Sequence, residues 1–282
     1  MQIAIVGDIH TYWNDFDVQY FNSSSYDLII FCGDLPGRLH KHLLKIANNL
    51  STVQKPAVLI PGNHDGTSVK QLLGEILKNP AFIGNSGTKQ FKRMMAFEKA
   101  LGRVLTVGYS LHTFGSYDLI ALRPHSMGGA GIAFQPYLQE RFGVSSVTGS
   151  FEKIKRLIDQ SQNDIIFLGH NGPKGLGEYR NDIFGCDFRK EMGDFGDEDS
   201  QLAVEYAIEK GKRVRAFIAG HMHHQLRGGG ERIWTIERDG ISYINAARVP
   251  RIFRENGLPV HHHVRFSINK ESTVVEPVFI RH

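Results

Sequence analysis

Cysteine is nearly absent: the 282-residue chain has two, Cys32 and Cys186. Two thiols cannot build a disulfide framework, which excludes the small stapled folds of secreted proteins and favours a reducing compartment. Cys32, inside the run LIIFCGD, reads as a small buried side chain. No leader is expected either. The start, MQIAIVGD, carries no basic residue and meets Asp8 at once, so it reads as a strand and not a signal peptide. No apolar stretch is long enough to span a bilayer. The expectation is a soluble cytoplasmic protein with no membrane partner. Charge imbalance is small: 33 Lys and Arg against 29 Asp and Glu leave a net +4. That excess is too weak to imply nucleic acid, and the basic residues are dispersed, with no long tract interleaved with aromatics. Repeats, low-complexity segments and clear linkers are lacking too, so one domain over residues 1–282 is expected.

What the chain does have is ample apolar residue, 41%, arranged with a rhythm. The runs IAIV, LIIF, AVLI, IIFL and AFIA read as strands buried on both faces. Strands are expected at 1–7, 27–32, 57–61, 104–108, 117–122, 214–219, 240–245, 260–268 and 274–280. Helices are expected near 15–21, 39–50, 68–77 and 151–162, the last capped by Ser150, with a further one opening at Ser200. Strand and helix alternate in the first part, which implies βαβ units and parallel pairing. The fold class this suggests is α/β, with two sheets and helices outside.

Each of the five runs leads into a short polar motif: Asp8-Ile9-His10, Gly33-Asp34, Gly62-Asn63-His64-Asp65, Gly169-His170 and Gly220-His221-Met222-His223. Side chains delivered from several strand ends converge, and these are ligand types. Asp8 and His10 are two apart at a strand end, free to turn toward one ion. The Asp34 carboxylate has two oxygens and can bridge two cations. Asn63 offers a carbonyl oxygen; His170, His221 and His223 offer imidazole nitrogens. Taken singly, a His after a strand is usually a hydrogen-bonded structural residue, and an Asp after Gly is usually a turn. Together, at five strand ends and in one order, they supply enough donors for two metals. Carboxylate with imidazole suits manganese, iron or zinc better than calcium or magnesium.

In order and content these motifs resemble the calcineurin-like metallophosphoesterase superfamily, whose pattern is D-x-H, G-D, G-N-H-[DE], a later His, and G-H-x-H. The resemblance runs from Asp8 to His223. It implies two central mixed β-sheets packed as a sandwich and flanked by helices. It implies that Asp8, His10 and His223 bind one metal, that Asn63, His170 and His221 bind the other, and that Asp34 bridges them. It further implies hydrolysis of phosphate monoesters or diesters, with a hydroxide shared by two metals about 3.5–4 Å apart as nucleophile. His64 would then contact substrate phosphate and protonate the leaving oxygen. One position departs from the pattern. Many members carry G-D-x-x-D, whose last Asp orients the catalytic His; here Gly37 stands in that place. Another acceptor, such as a backbone carbonyl, is expected to hold the His64 ring.

Three further segments have unusual composition. Leu122-Arg123-Pro124-His125-Ser126-Met127-Gly128-Gly129 is either a Gly-rich surface loop or an anion site, with Arg123 as a substrate-binding candidate. Gly169 through Gly177 places Asn171, a second substrate-binding candidate, and Lys174 just after a ligand. The acidic segment 192–199 reads as a solvated helix N-terminus. All three resemble one branch of that superfamily, found in photosynthetic organisms, in which RPxSMGG, HNGPxGLG and GDxGDxD recur. His261-His262-His263 reads as an accident of a strand, because neighbours point to opposite faces. Arg248 and Arg251 follow a late strand and are open to a place in the pocket. The substrate expected is a phosphorylated small molecule or other phosphoester. Two other readings compete: a catalytically silent metal-binding scaffold or interaction module on the same fold, and a nuclease, which the dispersed basic residues disfavour.

Overall fold

The computed structural model describes residues 1–37, 39–84, 86–189 and 193–282, without the side chain of Ser86. Strands β1 (Gln2–Val6), β2 (Leu28–Phe31), β3 (Ala57–Leu59) and β4 (Leu105–Thr106) pair in parallel, with Ile5 opposite Ile30 and Phe31 opposite Leu59. The long strand β12 (Leu258–Ile268) lies antiparallel against β1. Strand β11 (Ile252–Glu255) shares that edge of β12, and β13 (Thr273–Arg281) takes the other. The second sheet runs β5 (Ser110–Phe114), β6 (Tyr117–Ala121), β7 (Asp164–Leu168), β8 (Val214–Ala219), β10 (Ile241–Asn245), β9 (Thr235–Arg238). Its β6, β7, β8 and β10 are parallel, and β5 and β9 close the edges antiparallel.

Period-two alternation explains the layers. Ile3, Ile5, Leu28, Ile30, Val58 and Ile60 pack against Leu119, Ala121, Ile166, Leu168, Ala216 and Ile218, forming the core between the sheets. Their neighbours Ala4, Val6, Ile29, Phe31, Ala57 and Leu59 join a second core with the helices. Both faces are buried, so the strands read as continuous apolar runs. The sandwich, its mixed pairing and its helical flanks agree with the fold class expected from sequence.

The helices are α1 (Asp15–Ser23), α2 (Leu43–Leu50), α3 (Val69–Leu77), α4 (Pro80–Ile83), α5 (Ser86–Leu101), α6 (Gln135–Phe142), α7 (Val147–Gln160) and α8 (Glu198–Glu209). Helix α2 begins four residues later than expected, because His40 and His42 sit at φ 54° and 69°, outside helical geometry. Helix α7 is capped by Ser146, whose side chain accepts from the Gly149 N–H; Ser150 lies inside the helix instead, bonded to Tyr109 and Asp199. Helices α4, α5 and α6 and strands β5, β9 and β11 were not anticipated.

Asp118, on β6, shows what fastens the far end of the second sheet. Its carboxylate accepts from Thr113 Oγ1, Ser161 Oγ, both Gln162 and Asn163 backbone N–H groups, and Asn163 Nδ2, at 2.7–3.1 Å. Burial alone would raise its pKa; these bonds, led by Asn163, Thr113 and Ser161, hold it at about 2, below the ordinary 3.8. A depressed carboxylate contributes stability that is complete above about pH 4 and lost as pH falls toward 2. Asp118→Asn is expected to lower unfolding free energy by about 2 kcal/mol near neutral pH. Urea titrations of both proteins should converge as pH drops through that window. An unchanged midpoint near neutral pH would show that the five bonds contribute nothing net.

Candidate metal centre

All five motifs lie at the carboxyl ends of parallel strands: β1 delivers Asp8 and His10, β2 Asp34, β3 Asn63 and His64, β7 His170, and β8 His221 and His223. Two groups form. Asp8, His10 and His223 bring ligand atoms within 4.8 Å of one another, and so do Asp34, His170 and His221. Asp34 Oδ2 lies 3.8 Å from His10 Nε2 and 3.6 Å from His170 Nε2, between the groups. Asn63 Oδ1 is 3.0 Å from His170 Nε2.

Hydrogen bonds decide which ring nitrogen faces inward. His170 Nδ1 donates to the Cys32 carbonyl at 2.6 Å and His10 Nδ1 to the Pro36 carbonyl at 3.0 Å. A carbonyl only accepts, so each neutral ring keeps its lone pair on Nε2. His221 is reversed: its Nε2 donates to Met127 O at 3.0 Å, which leaves Nδ1 free. His10 Nε2 and His223 Nε2 face each other at 3.3 Å. Two nitrogens on one tetrahedral ion, each about 2.1 Å away, stand about 3.4 Å apart. Asp8 Oδ1 accepts from the His221 backbone N–H, whereas buried Asp8 Oδ2 makes no hydrogen bond and faces His223 Nε2 at 3.3 Å. An orphaned carboxylate oxygen, an imidazole lone pair fixed toward it and a second at ligand spacing are what a cation would satisfy. The residues fit a divalent metal.

Charge tells the same story. Burial would raise Asp8, but His223 and His170 together outweigh it and hold the carboxyl at about 2; burial would raise Asp34 as well, but His64, His170 and His10 together hold it well below the usual range. Burial would lower His170, but Asp34, Asp8 and the Cys32 carbonyl together override it and lift the imidazole to about 9. Without metal, the two carboxylates keep a proton in the cluster.

The backbone is unusual here. His10, Asp34 and His221 sit at φ 42°, 53° and 68°, which costs on the order of 1–3 kcal/mol each for residues with a Cβ. Local bonds hold them there: the His10 N–H donates to Asp34 O at 2.7 Å and the Asp34 N–H to Asp65 Oδ2 at 2.8 Å. Asp65 is fully buried and also accepts from the Gly62 and Leu35 N–H groups, which ties two ligand loops together. The motif glycines have a steric reason. A Cβ on Gly62 would collide with Asp34 Oδ1 and His170 Cε1, and one on Gly220 with Asp8 Oδ1.

His64 stands beside these groups, its ring centroid 5.2 Å from that of His10. Its holder is not a backbone carbonyl directly but a second histidine. His64 Nδ1 lies 3.0 Å from His40 Nε2, and His40 Nδ1 lies 3.0 Å from Thr67 O. Because Thr67 O only accepts, neutral His40 carries its proton on Nδ1 and receives the His64 Nδ1–H on Nε2. That leaves His64 Nε2 as the atom that can hold or release a proton. Sequence reading missed His40 and gave Asp65 no role; the D/E position of the G-N-H-[DE] pattern was the one signal for the latter.

Other expectations need correcting. Arg123 is 3% exposed, its Nε and Nη2 bound to Asp199 and Asp197 at 2.7–3.1 Å, so it presents no face to a substrate. The acidic segment does form a helix N-terminus, with Asp197 as the cap of α8, but not a solvated one: Asp197 and Asp199 are buried partners of Arg123, while Met192 lies outside the described residues. The Gly-rich loop is no anion cradle, because Gly128 N–H donates to Ser126 Oγ and Gly129 N–H to Phe195 O. What that segment supplies is the Met127 carbonyl on His221, and His125, whose Nδ1 donates to Gly62 O at 2.8 Å. Asn171, next to His170, is fully buried; its Nδ2 donates to Phe195 O, and its Oδ1 has no partner among the described residues. Arg251 is buried against Asp17. His261 pairs with the same Asp17 and His263 with Tyr26, outside both metal groups.

A family model for calcineurin-like phosphoesterases matches residues 1–225, a span that includes every ligand candidate. Among solved structures, TT1561 of Thermus thermophilus superposes with a TM-score of 0.54 at 10% identity, covering 98% of this chain and 97% of that one. Another crystal structure superposes at 0.52, again at 10% identity, covering 98% of each chain. Identity that low speaks for the fold alone. Among curated proteins no sequence match is found. The matched span contains the strand-end residues that the structure gathers into two groups, and by that match the chain belongs to the calcineurin-like phosphoesterase family.

Proposed function

We propose that this protein hydrolyses phosphate esters with two metal ions held in one centre. The observation that carries the reading is the position of Asp34 Oδ2, within 4 Å of both a His10 nitrogen and a His170 nitrogen from separate groups. Asp8, His10 and His223 would hold one ion, Asn63, His170 and His221 the other, and Asp34 both. When bound, such ions act as Lewis acids on phosphoryl oxygens and bring water to a nucleophilic state near neutral pH. The mixed carboxylate and imidazole donors suit manganese, iron or zinc. The chain's own part is to fix the donor tautomers through Cys32, Pro36 and Met127 carbonyls, and to hold a proton at His64 Nε2 for the leaving oxygen. The substrate class is a phosphomonoester or phosphodiester.

Hydrolysis of aryl phosphate esters tests this. Activity is expected to vanish with EDTA and to return with manganese. If fully metallated protein cleaves no monoester or diester, the silent scaffold reading takes its place. Metal uptake also has a proton signature. His170 at about 9 holds a proton below that pH, and a ligand nitrogen must lose it. Affinity should therefore fall, by up to about tenfold per pH unit, as pH drops below 9. Calorimetry in buffers of different ionisation heat should show proton release near pH 7; uptake without release would remove His170 from the ligand set.

A further inference from the structure

Helix α3 is inside out. It buries Gln71 and Gly74, and turns Val69, Leu73, Ile76 and Leu77 to solvent at 43–58% exposure. Those positions follow one helical stripe. On the buried side Gln71 bonds Gln90 and Arg93, and Gly74 admits Phe82 of α4. Nothing among the described residues covers the apolar stripe, and Phe82, Leu39 and Leu44 add to the exposed apolar surface of the same stretch of chain.

Charge is distributed with the same bias. Residues 35–97 contain nine Lys and Arg, at 38, 41, 45, 55, 70, 78, 89, 92 and 93, against two acidic residues, Asp65 and Glu75. Asp65 is fully buried and Glu75 is half-buried. The small net charge of the whole chain hides this imbalance. Lys41, Lys45, Lys70 and Lys78 are exposed.

We infer that the outward apolar stripe of α3, with exposed Lys70 and Lys78 on the same helix and its C-cap, docks on a lipid surface carrying anionic headgroups. Apolar side chains on a helix flanked by lysines are what binds the interface of such a bilayer, one part entering the acyl boundary and the other meeting the headgroups. A second copy fits less well. In a two-fold contact the same patch meets itself, and these lysines would face each other with no exposed acidic partner. The patch also adjoins the metal centre: Ser68 caps α3 directly after the loop of Asn63 and His64, and His40, next to Leu39, touches both His64 and Thr67. The inference goes beyond the phosphoesterase reading and does not depend on it. It also departs from the expectation of no membrane partner, which rested on the lack of a spanning segment; an interfacial helix needs none.

The test is co-flotation with phosphatidylcholine vesicles, with and without phosphatidylglycerol, in the absence of any substrate. The full chain is expected to float with the anionic vesicles only, and to be released by salt. Lys70→Gln with Lys78→Gln should weaken binding about 25-fold, at about fivefold per lysine. Leu73→Ser with Ile76→Ser should weaken it by at least about tenfold. Thermal unfolding confirms that each variant is folded, as substitutions at exposed sites permit. The inference is overturned by absence of vesicle binding, or by binding that the Leu73 and Ile76 changes leave intact. It is equally overturned if those changes instead dissolve a dimer in sedimentation velocity, or if an acidic leucine-rich peptide binds where vesicles do not.

Discussion

Asp34→Asn is expected to empty both metal groups at once and to reduce phosphoester hydrolysis by at least about a thousandfold. The substitution keeps the side-chain shape, and the amide oxygen can still accept the His64 N–H that Asp34 Oδ1 now takes at 2.8 Å. What it removes is the charge that lies within 4 Å of nitrogens in both groups. Several kcal/mol of transition-state stabilisation depend on such ions, and each 1.36 kcal/mol is about tenfold in rate. His223→Ala makes the contrast. Its ring, at 3.3 Å from Asp8 Oδ2, belongs to one group alone, so one metal per chain should remain. Elemental analysis of the two variants separates the cases. Full metal content in Asp34→Asn would refute a bridging role.

The second large effect concerns His64. His64→Ala is expected to slow an alkyl phosphate ester by about 10²–10⁴-fold, and a nitrophenyl ester far less, because a good leaving group needs no proton. Metal content should not change, since His64 belongs to neither ligand group. His40→Ala should fall in the same direction with a smaller loss. His40 touches His64 and Thr67, so the leaving-group dependence distinguishes lost proton delivery from general damage. Equal losses on both esters would leave His64 only a positioning role. Loss of metal would show that the ligand sets are drawn wrongly.

How far the chain could be read follows from what each feature depends on. The five strands announced themselves because both faces of each are buried, and alternation such as Ile3–Ala4–Ile5–Val6 then leaves no polar position. The motif residues were legible because the strands end where they do. The residues that act on them were not. His40 lies in a loop whose left-handed backbone interrupts an apparent helical pattern. The Arg123 pair with Asp197 and Asp199 spans more than seventy residues, and an arginine beside glycines looks the same whether it meets a substrate or a buried aspartate. Ser150 looked like a cap because a helix does run there, with its start at Ser146 hidden by one more turn. Helix α3 was legible as a helix near 68–77, but which way it faces was not: its apolar stripe is turned outward.

The last strands carry a practical consequence. The family match stops at 225, yet β12 is the neighbour of β1, and β10 is the neighbour of β8. Those two inner strands carry Asp8, His10, His221 and His223. A fragment cut at the family boundary would retain every ligand while turning both strands into raw sheet edges, with unpaired backbone along apolar segments. Such edges template pairing with other chains. The fragment should aggregate before it can bind metal, so a boundary drawn from motif content alone would divide the molecule through its own sheets.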